Sequence, residues 1–298
     1  MFVTLVAVVV ALVLGHVAPM FVRALRRYDW YAAWLQGLSA RFADGEGFWR
    51  GRYGIALALV PLLLPVALLQ WLLDAPLLGL LGLLFGIAAL VYAWGPRDLD
   101  VDVEAIIDAH DPQARQQAIA ALWPEGGVPR ADGPALVEAV FHGALRRWFG
   151  VLFWFLLLGQ AGALLYRLAV LSCEGGFSRW LPPRTLEGAL RLRDALEWPV
   201  AQLMTGSMAL VGNFDTVFAA WRAAGGATWR LSIAFLGQAA RASVRCELEE
   251  EAEDYVSAGL VPVMRSLPEL RDAMSLVWRI LLLWLAVLAL FVIAGWVS

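Results

Sequence analysis

Long apolar runs alternate with polar stretches along the chain, and the runs have the length of membrane spans. Uncharged apolar segments cover residues 2–22, 54–73, 75–94, 148–166 and 280–297. A helix rises ~1.5 Å per residue, so about 20 residues cross a hydrocarbon layer of ~30 Å. The pattern therefore predicts an all-α fold, a polytopic transmembrane helical bundle with five spans.

The polar stretches divide the chain into three regions. Residues 1–96 form an N-terminal membrane region, 97–147 a soluble helical loop, and 148–298 a core that begins with the central span 148–166. In the loop, Asp111 precedes Pro112, a pair that favours the start of a second short helix at the proline.

Within the core, residues 185–278 read as an amphipathic helical region. Apolar residues recur every three or four positions from Leu186 to Trp221, and Thr185 stands where it could cap the helix. Polar residues including Gln202 and Asn213 interrupt the stripe. This sixth segment therefore lies in the membrane interface, enters the membrane and returns, or crosses it, and the pattern leaves the choice open.

The arginines indicate an orientation in the membrane. Six of them, Arg23, Arg26, Arg27, Arg41, Arg50 and Arg52, crowd the segment 23–53, whereas the short turn 74–76 has no cation. Cytoplasmic loops carry an excess of basic residues. We therefore expect a multi-pass protein of the bacterial inner membrane, with its N-terminus outside and with loops 23–53 and 95–147 cytoplasmic.

Composition supports the membrane assignment and excludes other classes. The chain is 61% hydrophobic and 16% charged, against roughly 25% charged in soluble proteins. A net charge of −3 and the lack of a basic stripe argue against nucleic-acid binding. The two cysteines form no metal-binding motif with the three histidines, and no nucleotide-binding loop occurs. The sequence therefore predicts no cofactor.

Candidate chemistry lies at the ends of the central span. Arg146 and Arg147 precede it and Arg167 follows it. Guanidinium groups bind phosphate and carboxylate bidentately, so these arginines are candidates for an anion clamp, although lipid-facing anchors have the same pattern. His142, one turn before Arg146, is either an interface histidine or a proton-transfer group.

Two further patterns suggest partners or ligands. The small residues Gly150, Gly159, Gly162 and Ala163 of the central span would admit a second helix at close range, which also permits a homodimer. The acids Asp98, Asp102 and Glu138 are either solvated side chains or ligands for a divalent metal. The predicted partners are therefore the lipid bilayer and an anionic small molecule.

The stretch FGVLFWFLLLGQAGALLYRL resembles the signature of a family that joins AmpE, an inner-membrane modulator of β-lactamase induction, to adenosylcobinamide-phosphate synthase. Tyr166 and Arg167 match the Tyr-Arg pair that ends the signature. The stretches AHDPQARQQAIAAL and RDALEWPVAQLMTGSMALVGNFD resemble further blocks, so the resemblance covers about residues 97–222. Asp194, Asn213 and Asp215 are the polar positions kept in the last block.

The departures from the synthase pattern favour the AmpE branch. The synthases show a Glu-Asn pair before the central span, where this chain has Glu138-Ala139, and an Asn-Thr-x-Asp-Ser-Met element after it, where residues 169–172 are AVLS. Amide synthesis must neutralise developing charge, and apolar residues do not. The resemblance therefore implies a regulatory protein of β-lactamase induction and cell-wall recycling that binds an anionic small molecule without catalysis. The alternative is a membrane-bound synthase.

Overall fold

The structure, a computed structural model, describes residues 2–17, 26–42, 47–73, 79–95, 98–123, 129–257 and 267–294. Within these ranges all regular elements are helical, which confirms the predicted fold class. The helices are α1 (Phe2–Val17), α2 (Asp29–Arg41), α3 (Gly54–Leu73), α4 (Gly79–Ala93), α5 (Leu99–Ile107), α6 (Pro112–Leu122), α7 (Gly133–Ala144), α8 (Gly150–Ser172), α9 (Gly175–Ser178), α10 (Pro183–Val211), α11 (Phe214–Ala223), α12 (Ala234–Ser257) and α13 (Pro268–Ile293). A 3₁₀ turn covers Phe48–Arg50, and a π-helical turn, Leu145–Phe149, links α7 to α8.

Among the residues that the structure describes, three helical stretches are long and apolar enough to cross a membrane: Gly54–Leu73, Gly133–Ser172 and Pro268–Ile293. The first has the bounds that the hydrophobic pattern predicts. Helix α4 is equally apolar but has 15 residues. The protein is thus a helical membrane protein. The ends of the predicted spans at 18–22, 75–78 and 295–297, and the turn at 74–76, lie outside the described residues.

Contacts divide the chain into two compact units. Unit 1 comprises Met1–Asp98, Arg146–Leu196 and Leu288–Ser298, and unit 2 comprises Leu99–Leu145 and Glu197–Val287. Unit 2 contains the two short helices predicted around Asp111, whose carboxylate accepts a hydrogen bond from the Ala114 amide at 3.1 Å. That cap confirms the predicted start of α6 at its proline.

In unit 1, the central helix α8 reverses direction at Gly159. Gly159 has φ 70° and ψ −150°, outside the helical region. A Cβ built on Gly150 would overlap the ring of Tyr166, and one built on Gly162 would overlap the carbonyl of Trp154. In an uninterrupted helix, residues 150 and 166 would lie ~24 Å apart. The segment is therefore a helical hairpin, with an incoming arm over 150–158 and a return arm over 160–172.

The side chain of Gln70, on α3, holds the tip of this hairpin. Its Oε1 accepts a hydrogen bond from the Ala161 amide at 3.1 Å, and its Nε2 donates to the Leu158 carbonyl at 3.2 Å. These are backbone groups that the break in the helix deprives of partners. Inside a membrane no water replaces such partners, so Gln70 makes the reversal tolerable.

The hairpin differs from the single crossing that the hydrophobic pattern predicts over 148–166. The return arm, 160–172, is ~20 Å long by helical rise, which is short of ~30 Å of hydrocarbon, whereas the incoming arm continues the helix that begins at Gly133. The close approach predicted for a partner helix is made by the hairpin's own arms, at Gly150 and Gly162. Both ends of the segment consequently lie at the same end of the hairpin, which we call the hairpin base.

Replacing Gly159 by alanine should destabilise the fold. The substitution places a Cβ against the Gln70 amide and forces a non-glycine residue into a positive-φ conformation, which costs ~1–3 kcal/mol before the clash is counted. Gly206→Ala is the matched control, because a Cβ there meets nothing within 4 Å. Unfolding in detergent should show a loss of about 2 kcal/mol or more for Gly159→Ala only. Equal stability of the two variants would contradict the hairpin tip.

Labelling should place both ends of the central segment on one side of the membrane. Single cysteines at Asp98, beside the incoming arm, and at Glu174, after the return arm, would be introduced with Cys173 and Cys246 replaced by serine. A membrane-impermeant maleimide should label both from the same face of sealed vesicles. A helix that crosses once would separate them, and labelling from opposite faces would refute the hairpin.

Candidate anion-binding site at the hairpin base

The end of helix α4 lies directly against the start of the incoming arm. The Gly95 amide donates a hydrogen bond to the Arg147 carbonyl at 3.2 Å, and a Cβ on Gly95 would lie 2.7 Å from the Cβ of Arg147. Only glycine permits this approach. The contact brings the end of α4, at Gly95, to the hairpin base.

Arg26 lies buried in the same place, 9% exposed. Its Nε donates to the Val91 carbonyl at 2.9 Å, and its Nη1 donates to the Gly95 carbonyl at 2.6 Å, so it fastens the end of α4. Burial lowers the pKa of Arg26 to about 10, with the field of Arg167 acting in the same direction and those of Tyr28 and Asp98 opposing it. Arg26 therefore remains a cation at neutral pH.

Arg167, on the return arm, is more deeply buried, at 1% exposure. Its Cζ lies 5.5 Å from the ring centroid of Tyr28, a cation–π contact. Its Nε and Nη2 are buried and have no hydrogen-bond partner within the described residues. The two cations are close enough for the charge of Arg167 to act on Arg26, and the Asp98 carboxylate acts on Arg26 in the opposite direction.

Tyrosines fill the space around the two arginines. The Tyr28 hydroxyl donates to the Tyr92 carbonyl at 2.6 Å, and the Tyr92 hydroxyl accepts a hydrogen bond from the Trp30 indole at 2.6 Å. The Tyr31 hydroxyl shares a hydrogen bond of 2.7 Å with Ser172, at the end of the return arm. Burial raises the pKa of Tyr28 to about 12 and also raises that of Tyr31. Both are therefore neutral hydrogen-bonding groups at physiological pH.

The arrangement favours an anion. Buried charges are stable when they are paired, and a buried guanidinium with unused N–H groups gains most from an acceptor that carries negative charge. Nε and Nη2 form one edge of the guanidinium, the edge that binds a carboxylate or phosphate through two parallel hydrogen bonds. We take Arg26, Arg167 and the surrounding tyrosines as the candidate site.

Five of the predicted site residues, Arg146, Arg147, Tyr166, Arg167 and Asp194, belong to unit 1. Arg147 and Arg167 both belong to the hairpin base, although the sequence suggested opposite ends of a span. Tyr166 is fully buried and packs on Gly150, so it supports the hairpin. Arg146 lies half-buried beside Arg147 in the chain. Asp194 binds the neighbouring Arg193 at 2.8 Å.

The other predicted residues belong to unit 2 or bound it. Asn213 caps α11 by accepting from the Thr216 amide at 3.1 Å, and Asp215 is exposed in its first turn. Glu138 lies 3.7 Å from Arg241, His142 is half-buried on α7, and Asp102 is buried on α5. Asp98 ends unit 1. Across the described parts of the chain, no three His, Cys, Asp or Glu side chains gather in a way that could hold a metal ion.

Sequence reasoning missed Arg26, Tyr28, Tyr92 and Gln70 as members of this region. In the sequence, Arg26 is one of six arginines that indicate a cytoplasmic loop, and nothing distinguishes it from the other five. Gln70 carried a usable signal, because it is the one polar side chain in the otherwise apolar helix Gly54–Leu73, and an amide in a membrane helix needs a partner. The tyrosines carried no such signal, since aromatic residues are common at membrane interfaces.

Comparison with known proteins supports one branch of the family resemblance. The chain is 29% identical over 273 residues, 85% of each chain, to the cobalamin biosynthesis protein CobD of Stutzerimonas stutzeri. It is 31% identical over 188 residues to the CobD of Chromobacterium violaceum, covering 59% of this chain and 58% of that protein. No family model and no solved structure matches. These similarities support the CobD side, and nothing in them supports AmpE in particular.

The tyrosine cluster predicts a loss of stability at alkaline pH. Tyr28 has a pKa near 12 in the folded protein and near 10 when unfolded, so the folded state holds a proton that the unfolded state releases above pH 10. Stability from this group is therefore complete below pH 10 and is lost as the pH rises towards 12. Arg26, with its lowered pKa, acts in the opposite direction, so the comparison must isolate Tyr28.

Wild-type protein and Tyr28→Phe should therefore be unfolded in denaturant at several pH values. The difference in their unfolding free energies should shrink by ~2 kcal/mol between pH 10 and pH 12. A difference that does not change with pH would show that Tyr28 ionises normally in the folded protein.

Proposed function

We propose that this protein is a bacterial inner-membrane protein of the CobD kind, acting in cobalamin biosynthesis on an anionic substrate bound at the hairpin base. The observation that carries the assignment is the similarity to a curated CobD over 85% of both chains. The regulatory role suggested by the sequence has no comparable support. We therefore prefer the synthase alternative to the AmpE alternative.

The buried arginines suggest how the site would work. A synthase that forms a phosphate-bearing amide has to hold an anionic group and neutralise the charge that develops during the reaction. In our proposal the Nε–Nη2 edge of Arg167 binds a carboxylate or phosphate bidentately, since neither nitrogen has a hydrogen-bond partner in the part of the chain that the structure describes. The charge of Arg26 acts on Arg167, so the two cations together would attract an anion more strongly than Arg167 alone.

The neighbouring tyrosines would complete the site by shape and by hydrogen bonding. Tyr28 lies against the Arg167 guanidinium, with its ring centroid 5.5 Å from Cζ. Its own hydroxyl is bound to the Tyr92 carbonyl, so the ring is held in place before a ligand arrives. Such fixed geometry reduces the conformational entropy lost on binding.

The orientation follows from the arginine bias. We propose that the loop 23–53 faces the cytoplasm, as does 95–147, and that the N-terminus is outside. Arg26 belongs to the first of these loops and Gly95 begins the second, so the site would open towards the cytoplasm. A soluble anionic substrate would then reach it without crossing the membrane.

The test is complementation of a bacterial strain that lacks its own CobD and is grown where cobalamin must be made. Wild-type protein should restore growth. Arg167→Met should abolish it, and Arg167→Lys should restore it only in part because lysine keeps the charge but not the two-pronged edge. Arg130→Gln is the control, since Arg130 is exposed and pairs only with the neighbouring Asp132.

The amount of each variant in the membrane fraction must match for these results to count. Failure of well-expressed wild-type protein to complement would contradict the proposal. Deleting the gene in a host with inducible β-lactamase then tests the regulatory alternative, which an altered induction profile would favour. Growth with Arg167→Met equal to wild type would remove Arg167 from the site while leaving the CobD assignment in place.

A further inference from the structure

A second basic site lies in unit 1, separate from the hairpin base. It is an open groove of about 840 Å³ between the 3₁₀ turn Phe48–Arg50 and the segment that leads into α10. Arg50 lies on one wall, and Arg179 and Arg184 on the other. The groove thus presents three cationic side chains and no acidic one among its described lining residues.

Two tryptophans give the groove its floor and shape. Trp49 is 1% exposed, and Trp180 is half-buried beneath Arg179, whose Cζ lies 5.2 Å from the indole centroid. The indole nitrogens of both tryptophans are buried and have no hydrogen-bond partner within the described residues. Both residues line the groove. The tryptophans therefore act as packing around the groove, and the three arginines are the groups that could contact an anion there.

The two walls are fastened to each other. The Thr185 hydroxyl donates to the Trp49 carbonyl and lies 3.2 Å from the Gly51 carbonyl. Thr185 is therefore not the helix cap that the sequence suggested, because α10 already begins at Pro183. The first turn of this 29-residue helix also directs the positive end of its dipole to the groove wall.

The depth of the groove in the membrane follows from the chain on either side. Helix α3, a membrane span by length and composition, begins at Gly54, three residues after Gly51 of the groove. Between and beside them the aromatic side chains of Phe48 and Tyr53 are 60% and 71% exposed. Exposed aromatic rings next to arginines at the end of a span mark the headgroup level of a bilayer.

We propose that this groove binds the phosphate of an anionic phospholipid headgroup. Arg179 and Arg184 contact the phosphate oxygens, Arg50 adds charge from the opposite wall, and the exposed aromatic rings lie among the neighbouring lipids. A phosphate at headgroup depth is a permanent component of the membrane. The groove is therefore a lipid site, in contrast to the buried arginines of the hairpin base.

The test uses full-length protein purified in detergent and reconstituted in nanodiscs of zwitterionic lipid, with or without phosphatidylglycerol. Retained lipid is counted by native mass spectrometry, and the melting temperature is followed as phosphatidylglycerol is added. The variant is Arg179→Gln with Arg184→Gln. The control is Arg222→Gln with Arg230→Gln, which removes the same charge from exposed positions of unit 2.

Wild-type protein should retain phosphatidylglycerol and gain thermal stability from it, and the groove variant should bind it about tenfold more weakly or worse. The control should bind as wild type does. Restoring charge with Arg179→Lys and Arg184→Lys should recover part of the affinity. Melting of the variants without added lipid shows whether they fold.

Two results would overturn the proposal. An equal loss in the groove variant and the control would mean that the lipid responds only to overall charge. Glycerol 3-phosphate or inorganic phosphate competing at concentrations comparable to the lipid would assign the groove to a soluble phosphate instead. Neither result bears on complementation by Arg167 variants, so the lipid site and the proposed function fail independently.

Discussion

The hydrogen bonds of Gln70 with the tip of the hairpin are the interaction on which the arrangement of unit 1 depends. A helix that reverses inside hydrocarbon exposes backbone amides and carbonyls at the turn, and each unsatisfied group costs several kcal/mol. One glutamine meets a donor and an acceptor at once, at Ala161 and Leu158. Gly159 supplies the backbone conformation that the turn requires. Without both residues, an uninterrupted helix would be the stable form of this apolar sequence.

The hairpin decides which polar groups meet. Because the arms are antiparallel, Arg147 at the start and Arg167 near the end lie at the same base, against the end of α4 and against Arg26. A straight span would hold these cations a membrane thickness apart. The resulting cluster has buried guanidinium groups, neutral tyrosines and an edge of Arg167 that has no hydrogen-bond partner among the described residues, and this combination suits the negatively charged ligand that we propose. It is a physical role for arginine that differs from that of a lipid-facing anchor.

Unit 1 thus uses arginine in two environments with different consequences. At the hairpin base the guanidinium N–H groups are buried, so leaving one unpaired costs free energy. The affinity for a ligand there would therefore depend on the hydrogen-bond geometry. In the groove near Trp49 the arginines are exposed, and solvent screening makes their effect depend mainly on charge and on the nearby lipid. The similarity to a CobD protein extends over most of the chain, so it supports the function that we propose for the hairpin base and does not bear on the groove.

The sequence by itself determined the all-α membrane fold, the bounds of the span Gly54–Leu73 and the helix start at Pro112, because hydrophobic length and proline chemistry act locally. It also drew attention to Arg147 and Arg167 through their position beside apolar residues. It could not determine that the central segment turns back, since arms of a hairpin and a single span have the same hydrophobicity. Only the tertiary structure decided that Gln70 pairs with a segment 88 residues away, and that Arg26 and Tyr28 join Arg167. Those contacts depend on which groups far apart in the chain form hydrogen bonds and cation–π contacts with each other. The periodicity of hydrophobic residues does not contain that information.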